Sequence, residues 1–352
     1  MPLVPPPSAS LSHDASSLAS STAGNLLTMN VFGQVQMGYL VVGSRKLPEW
    51  KTFVQDAMGL HLASESAGEL AFRMDNHARR LMITDDPAED ILAIGWQVAN
   101  TQALETILER LKNHNVAVTQ HNGDEATARG VESFFRFIGP KGLLVELFIE
   151  PLIDEQPLAM LCGGFVTGQS GMGHISLMSL EPERTVAFWQ GLFDARISDT
   201  IDIAVGNRTA LDVTFMRVNE RHHSVAIAAT KGLAIDMFRT RIQHFNMEAA
   251  TLNDLIAAYE RCKALGFKLS RGIGQHPNDK ELSFYVHTPS GFEFEIGWDA
   301  LTVDEATWQH GKSYGEMSTW GHEIPGRFSS ELSAGHLVNA AKSLVKTEFL
   351  PW

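Results

Sequence analysis

"FYVHTPSGFEFEIG" (residues 284–297) has a faded copy in "FRFIGPKGLLVELF" (residues 135–148). Pro289 and Gly291 fall on Pro140 and Gly142, and Glu295 falls on Glu146. In the later copy Glu293 and Glu295 alternate with Phe292, Phe294 and Ile296, so both carboxylates lie on the face opposite the apolar side chains. A carboxylate buried in so aromatic a strand needs a compensating charge.

Two further matches keep the same order along the chain. "MGYLVVGSRKLPEWKTFVQDAMGL" (37–60) pairs with "MGHISLMSLEPERTVAFWQGLFDA" (172–195), placing Phe53 on Phe188. "ERLKNHNVAVT" (109–119) pairs with "ERCKALGFKLS" (260–270). Ordered self-similarity of this kind implies two domains of one architecture. We expect an α+β chain with a disordered tail over 1–28, an N-terminal domain over 29–150, a linker over 151–171, a C-terminal domain over 172–300 and an extension over 301–352.

A smaller unit recurs within each half. "ILAIGWQVA" (91–99) and "RIQHFNMEA" (241–249) read as strands leading into amphipathic helices. The first helix carries Leu104, Ile107, Leu108 and Leu111; the second places Leu252, Leu255, Ile256, Tyr259 and Cys262 on one stripe, with Thr251 and Asp254 as a capping box. Each half thus reads as two βαβββ modules whose mixed sheets curl around a cavity. The glycines of "GGFVTGQSGMG" (163–173) belong to the linker, since no helix follows them and the GxGxxG spacing is absent. A short helix is expected near 328–347.

Composition narrows the function classes. The chain has 352 residues, enough for two domains, and a net charge of -13, which opposes binding to nucleic acid or an anionic membrane. No apolar run approaches the roughly 20 residues that span a bilayer. The two cysteines, Cys162 and Cys262, have no CxxC spacing and read as free thiols of a cytoplasmic protein. The first 28 residues are rich in Pro, Ser and Ala and lack the basic start and apolar core of a secretory signal, with Met29 as an alternative start.

The two halves differ where chemistry can sit. His174 in "MGHISL" falls on Tyr39, and His244 in "IQHFNME" falls on Ala93, while Glu295 keeps its counterpart Glu146. One half offers His, His and Glu; the other offers Tyr, Ala and Glu. Two imidazoles and a carboxylate are the donor set of a facial triad, which leaves three open positions on an octahedral metal. Glu293 is the rival carboxylate, disfavoured because its counterpart is Leu144. The alternative for either histidine alone is a satisfied core side chain.

"GHISL", "IQHFNMEA" and "SFYVHTPSGFEFEIGW" resemble the motifs of type I extradiol ring-cleavage dioxygenases of the vicinal oxygen chelate superfamily, over about residues 30–325. The resemblance implies a glyoxalase-like fold, Fe(II) (or Mn(II)) held by His174, His244 and Glu295, and an N-terminal domain that has lost its metal. It implies a catechol and O2 as substrates, with a bicyclic or polycyclic ring favoured, and a homo-oligomer between dimer and octamer. His223 in "NERHHSVAIAA" would be the acid/base, with His222 as its alternate. His276 and Tyr285 would hydrogen-bond the substrate oxygens, and Asn278 and Asp279 of "GQHPND" would border the cavity, Asp279 as an orienting group. Competing readings are a glyoxalase-like or epimerase metalloenzyme, or a ligand-binding member without catalysis.

Overall fold

The alternating stretches of the duplication form the last hairpin of each half. The computed structural model describes residues 29–204, 210–232, 235–236, 240–324, 330–345 and 347–352; the expected tail over 1–28 lies outside them. The first half contributes β1 (Val35–Gly43), β2 (His61–Ser66), β3 (Glu69–Arg73), β4 (Leu81–Thr84), β5 (Asp90–Val98), β6 (Thr119–His121), β7 (Phe134–Ile138) and β8 (Leu144–Phe148). The second contributes β9 (His174–Met178), β10 (Arg196–Ala204), β11 (Ala210–Arg217), β12 (Val225–Lys231), β13 (His244–Glu248), β14 (Leu269–Gln275), β15 (Leu282–His287) and β16 (Glu293–Trp298). Helix α1 (Leu47–Lys51, continued by a wider turn over Thr52–Met58) follows β1, and α2 (Thr101–Asn113) follows β5. Likewise α3 (Pro182–Phe193) follows β9 and α4 (Leu252–Ala264) follows β13. Each half is therefore two βαβββ modules.

Strand order repeats as well: β2-β3-β4-β1-β5-β8-β7-β6 in the first sheet, and β10-β11-β12-β9-β13-β16-β15-β14 in the second. The registers coincide. Ala93 and Gly95 pair with Leu144 and Glu146, as His244 and Asn246 pair with Glu293 and Glu295. Tyr39 pairs with Gly95, as His174 pairs with Asn246. The duplication thus extends to individual hydrogen-bonded partners.

Alternation then sorts the side chains. Leu40 and Val42 of β1, with Ile175 and Leu177 of β9, face one apolar core shared by both halves. Trp96 meets Trp189 and Phe193 there at centroid distances of 5.6 and 5.3 Å, and Phe53 meets Phe294 at 5.8 Å. The helices complete this layer. On α2, Asn100 caps the first turn by accepting from the Ala103 amide at 2.9 Å, and Leu104, Ile107 and Leu111 are buried. On α4 Thr251 accepts from the Asp254 amide, but the Asp254 carboxylate bonds the Gly163 amide and the Thr251 hydroxyl. The expected stripe is narrower than its sequence suggests. Leu255, Ala258 and Cys262 are buried, whereas Ile256, one residue round the helix, and Leu252, in the first turn, are exposed.

The extension after β16 adds β17 (Ser313–Tyr314) beside β10 and β18 (Trp320–Gly321) beside β14, then α5 (Ser330–Ser343), close to the expected helix. Trp352 stacks on His114 of the first half and packs against Phe188 of the second. Among the described residues no helix is long and apolar enough to cross a membrane, and both cysteines are free thiols.

Candidate active site

The opposite faces of the two sheets enclose separate interiors: apolar side chains packed around Tyr39 fill the first, and a cavity opens in the second. The cavity of about 210 Å³ is lined from β11 and β12 on one flank to β14 and β15 on the other, so the sheet curls around it. His174 begins β9, His244 begins β13 and Glu295 lies in β16, three adjacent central strands. All three residues are nine-tenths or more buried.

Their donor atoms form a nearly equilateral triangle. His174 Nε2 lies 3.2 Å from His244 Nε2 and 3.2 Å from Glu295 Oε2, and His244 Nε2 lies 3.3 Å from the same oxygen. Ligands about 2.1 Å from an octahedral cation at right angles stand about 3 Å apart. The triangle therefore fits one face of a six-coordinate divalent ion. Electrostatics agree. Burial lowers the His174 pKa to about 4 despite the Glu295 carboxylate, leaving the neutral imidazole that ligates metals. Burial pushes against the charge of Glu295, but the imidazoles of His174, His244 and His276 around its oxygens hold its pKa well below the ordinary carboxylate range.

The remaining predicted residues divide by position. His223 faces the cavity, its ring centroid 3.9 Å from that of His174 and its edge against Phe215. Burial, then the neighbouring His174 and His222, depress its pKa well below the usual imidazole value. A neutral imidazole at that place can accept a proton. His222 points elsewhere. Its Nε2 donates to Asp199 Oδ2 at 3.0 Å, its Nδ1 lies 3.2 Å from His223 Nδ1, and its ring meets Trp308. His222 is not among the residues lining the cavity; it braces His223 from behind.

His276 and Tyr285 form the opposite wall. His276 Nδ1 donates to Met317 O at 2.7 Å, and its Nε2 lies 2.9 Å from the Tyr285 hydroxyl and 3.3 Å from Glu295 Oε1. Burial opposes a charge on His276, but Glu295 and Asp279 outweigh it and raise the pKa. Burial and Glu295 raise that of Tyr285, which keeps its proton. Asn278 lines the cavity and approaches Asp199 at 3.4 Å. Asp279 accepts from the Glu281 amide and stands 3.7 Å from His223 Nδ1.

Two further contributors, Met317 and His322, carry no motif. Met317, in the segment between β17 and β18, supplies both a cavity wall and the carbonyl that holds His276. His322 packs 4.4 Å from the His276 ring and bonds Ser283; burial, then His276, lower its pKa to about 4. Arg271 and Gln243 also line the cavity. The rival carboxylate Glu293 is outside the donor triangle and instead bonds Gln243 and Ser270.

A fold of paired βαβββ modules around such a triad defines a class. Residues 171–296 match the model of the Glyoxalase/Bleomycin resistance protein/Dioxygenase superfamily, and residues 37–85 match that of the Dihydroxybiphenyl dioxygenase BphC D1 domain. The chain is 32% identical to a biphenyl-2,3-diol 1,2-dioxygenase of Metapseudomonas furukawaii, over 82% of this chain and 93% of that protein. It is 33% identical to a 3-methylcatechol 2,3-dioxygenase of Pseudomonas putida, over 82% and 97%. The crystal structure of 2,2',3-trihydroxybiphenyl 1,2-dioxygenase from Sphingomonas wittichii superposes with a TM-score of 0.72 at 28% identity, covering 82% of this chain and 99% of that one. The chain belongs to the extradiol catechol dioxygenases of this superfamily.

Proposed function

We propose that this enzyme opens the ring of a substituted, bicyclic or polycyclic catechol beside its diol, with O2 as co-substrate and Fe(II) held by His174, His244 and Glu295. The observation that carries this reading is the donor triangle in the wall of a cavity with one apolar flank. Bound iron supplies open positions for the diol and O2 and a path for electrons between them. Mn(II) accepts the same donors.

The protein's own groups do the rest. His223, neutral and facing the cavity, takes the proton of one substrate hydroxyl and returns it as the ring opens. His276 and Tyr285, coupled at 2.9 Å, hold the other oxygen. Asn278, Asp279 and His222 position these groups through Asp199 and His223. Met178, Leu211, Val213, Phe215, Ala226 and Ala228 form an apolar wall that receives the second ring and excludes water. A cytoplasmic homo-oligomer is the setting this reading favours, supported by the free thiols and the family resemblance.

Anaerobic loading with Fe(II) or Mn(II), then oxygen with 2,3-dihydroxybiphenyl, 1,2-dihydroxynaphthalene and catechol, tests the proposal. A yellow ring-opened product is expected, with higher kcat/KM for the two bicyclic diols and none from His174→Ala. Equal or better turnover of plain catechol removes the substrate assignment; no uptake of either metal removes the whole reading.

A further inference from the structure

We propose that Glu293 and Gln243 are positioning residues: a one-way hydrogen-bond relay that sets the tautomer of His244 so that its Nε2 presents a lone pair to the metal. The inference rests on the reading of His244 as a ligand.

Each link is forced by what its atoms can do. Ser270 Oγ donates to Glu293 Oε1, and Gln243 Nε2 donates to Glu293 Oε2. A carboxylate only accepts, so it turns the NH2 of Gln243 toward itself. The amide oxygen is thereby aimed at His244, where Gln243 Oε1 lies 2.5 Å from Nδ1. An amide oxygen also only accepts, so Nδ1 carries the hydrogen. A neutral imidazole holds one ring hydrogen, which leaves Nε2 bare. That Nε2 is the atom standing 3.2 Å from His174 Nε2 and 3.3 Å from Glu295 Oε2. The backbone holds the relay in register, with the Glu293 amide bonded to Gln243 O and the Gln243 amide to Ser176 O.

The duplicated half supplies an independent observation. Where Ala93 replaces His244, the position of Gln243 is Leu92 and that of Glu293 is Leu144. Both leucines pack against the apolar filling of that interior. The relay residues are polar only where an imidazole needs orienting. This also accounts for a second carboxylate in β16 that is not in the donor triangle.

Fe(II) affinity of the full-length protein, measured anaerobically by competition with a chromophoric chelator, tests the relay. Glu293→Leu and Gln243→Leu are each expected to weaken iron binding about 10- to 100-fold, the usual effect of removing a group that orients a ligand. The double variant should bind no more weakly than Gln243→Leu, because Glu293 acts only through Gln243. The metal-free variants should melt near the parent, which separates the effect from a general loss of fold. Parent-level affinity in Glu293→Leu, or losses that multiply in the double variant, overturns the relay. Should Glu293→Leu not fold, Glu293→Gln decides: it keeps the shape but lets both amides turn over, so a measurable loss supports the relay and parent-level affinity overturns it. A parent that takes up no iron defeats the metal reading itself; a parent that binds iron no better than its variants defeats the relay alone.

Discussion

The two interiors of this molecule share a backbone and a register but not a purpose. In the first half Tyr39 takes the place of His174, and its hydroxyl donates to Glu146 at 2.7 Å. Arg129 and Arg136 reach the same carboxylate at 3.0 and 2.8 Å. Tyr39 also stacks on Phe148, and Gly95 leaves room for its ring, since a Cβ there would stand 2.4 Å from ring carbons. Val41, Ala71, Met82, Ala93 and Phe134 fill the remaining space. In the second half the same carboxylate position meets three imidazoles and a cavity. A buried glutamate is kept in both, and what differs is its compensation: fixed guanidinium groups in one half, a site shaped for an exchangeable divalent ion in the other.

The comparison breaks most sharply at the two glutamates. Glu295→Leu should abolish iron uptake and ring cleavage together, read by metal analysis and oxygen consumption. In the parent, Fe(II) at a hundredfold excess over its Kd should add about 2.7 kcal/mol of stability; this increment should vanish in Glu295→Leu. Next in size, His223→Gln should lower kcat by about 10²- to 10⁴-fold, the range for losing a general acid/base, with iron content unchanged. Trp96→Ala, at the seam of the shared core, should destabilise both halves by about 3–5 kcal/mol in urea unfolding. Glu146→Leu should leave iron content and kcat near the parent yet cost about 3 kcal/mol, because it strands Arg129 and Arg136. Smallest is Tyr39→Phe, expected to cost about 1 kcal/mol with no effect on turnover. Activity loss from Glu146→Leu without unfolding would mean that the filled interior has a role in catalysis.

The legible part of the site was the part the duplication marked. His174, His244 and Glu295 stood out because two of them have no counterpart of their own kind in the first half, and their strands had recognisable patterns. The choice between His222 and His223 had no such mark. The two rings sit side by side in the bend before β12, their Nδ1 atoms 3.2 Å apart, and only the packing of Asp199 and Trp308 around His222 shows which one is turned from the cavity. Met317 and His322 gave no signal, because they belong to an irregular polar segment whose role depends on where it lands, beside β10 and β14. The stripe of α4 misled at Leu252 and Ile256, since periodicity describes a helix but not the width of what it packs against.

By itself the sequence determined the architecture, its doubling and the candidate donor set of two histidines and a carboxylate from the last strand, because alternation, helical period and internal repetition are local or self-referential properties of a chain. The tertiary structure decided which carboxylate of β16 faces the imidazoles, which histidine lines the cavity, and that one interior is filled while the other stays open. Those outcomes depend on distances of about 3 Å between residues as much as 121 positions apart, from His174 to Glu295, and such distances exist only once the sheet has curled and closed on them.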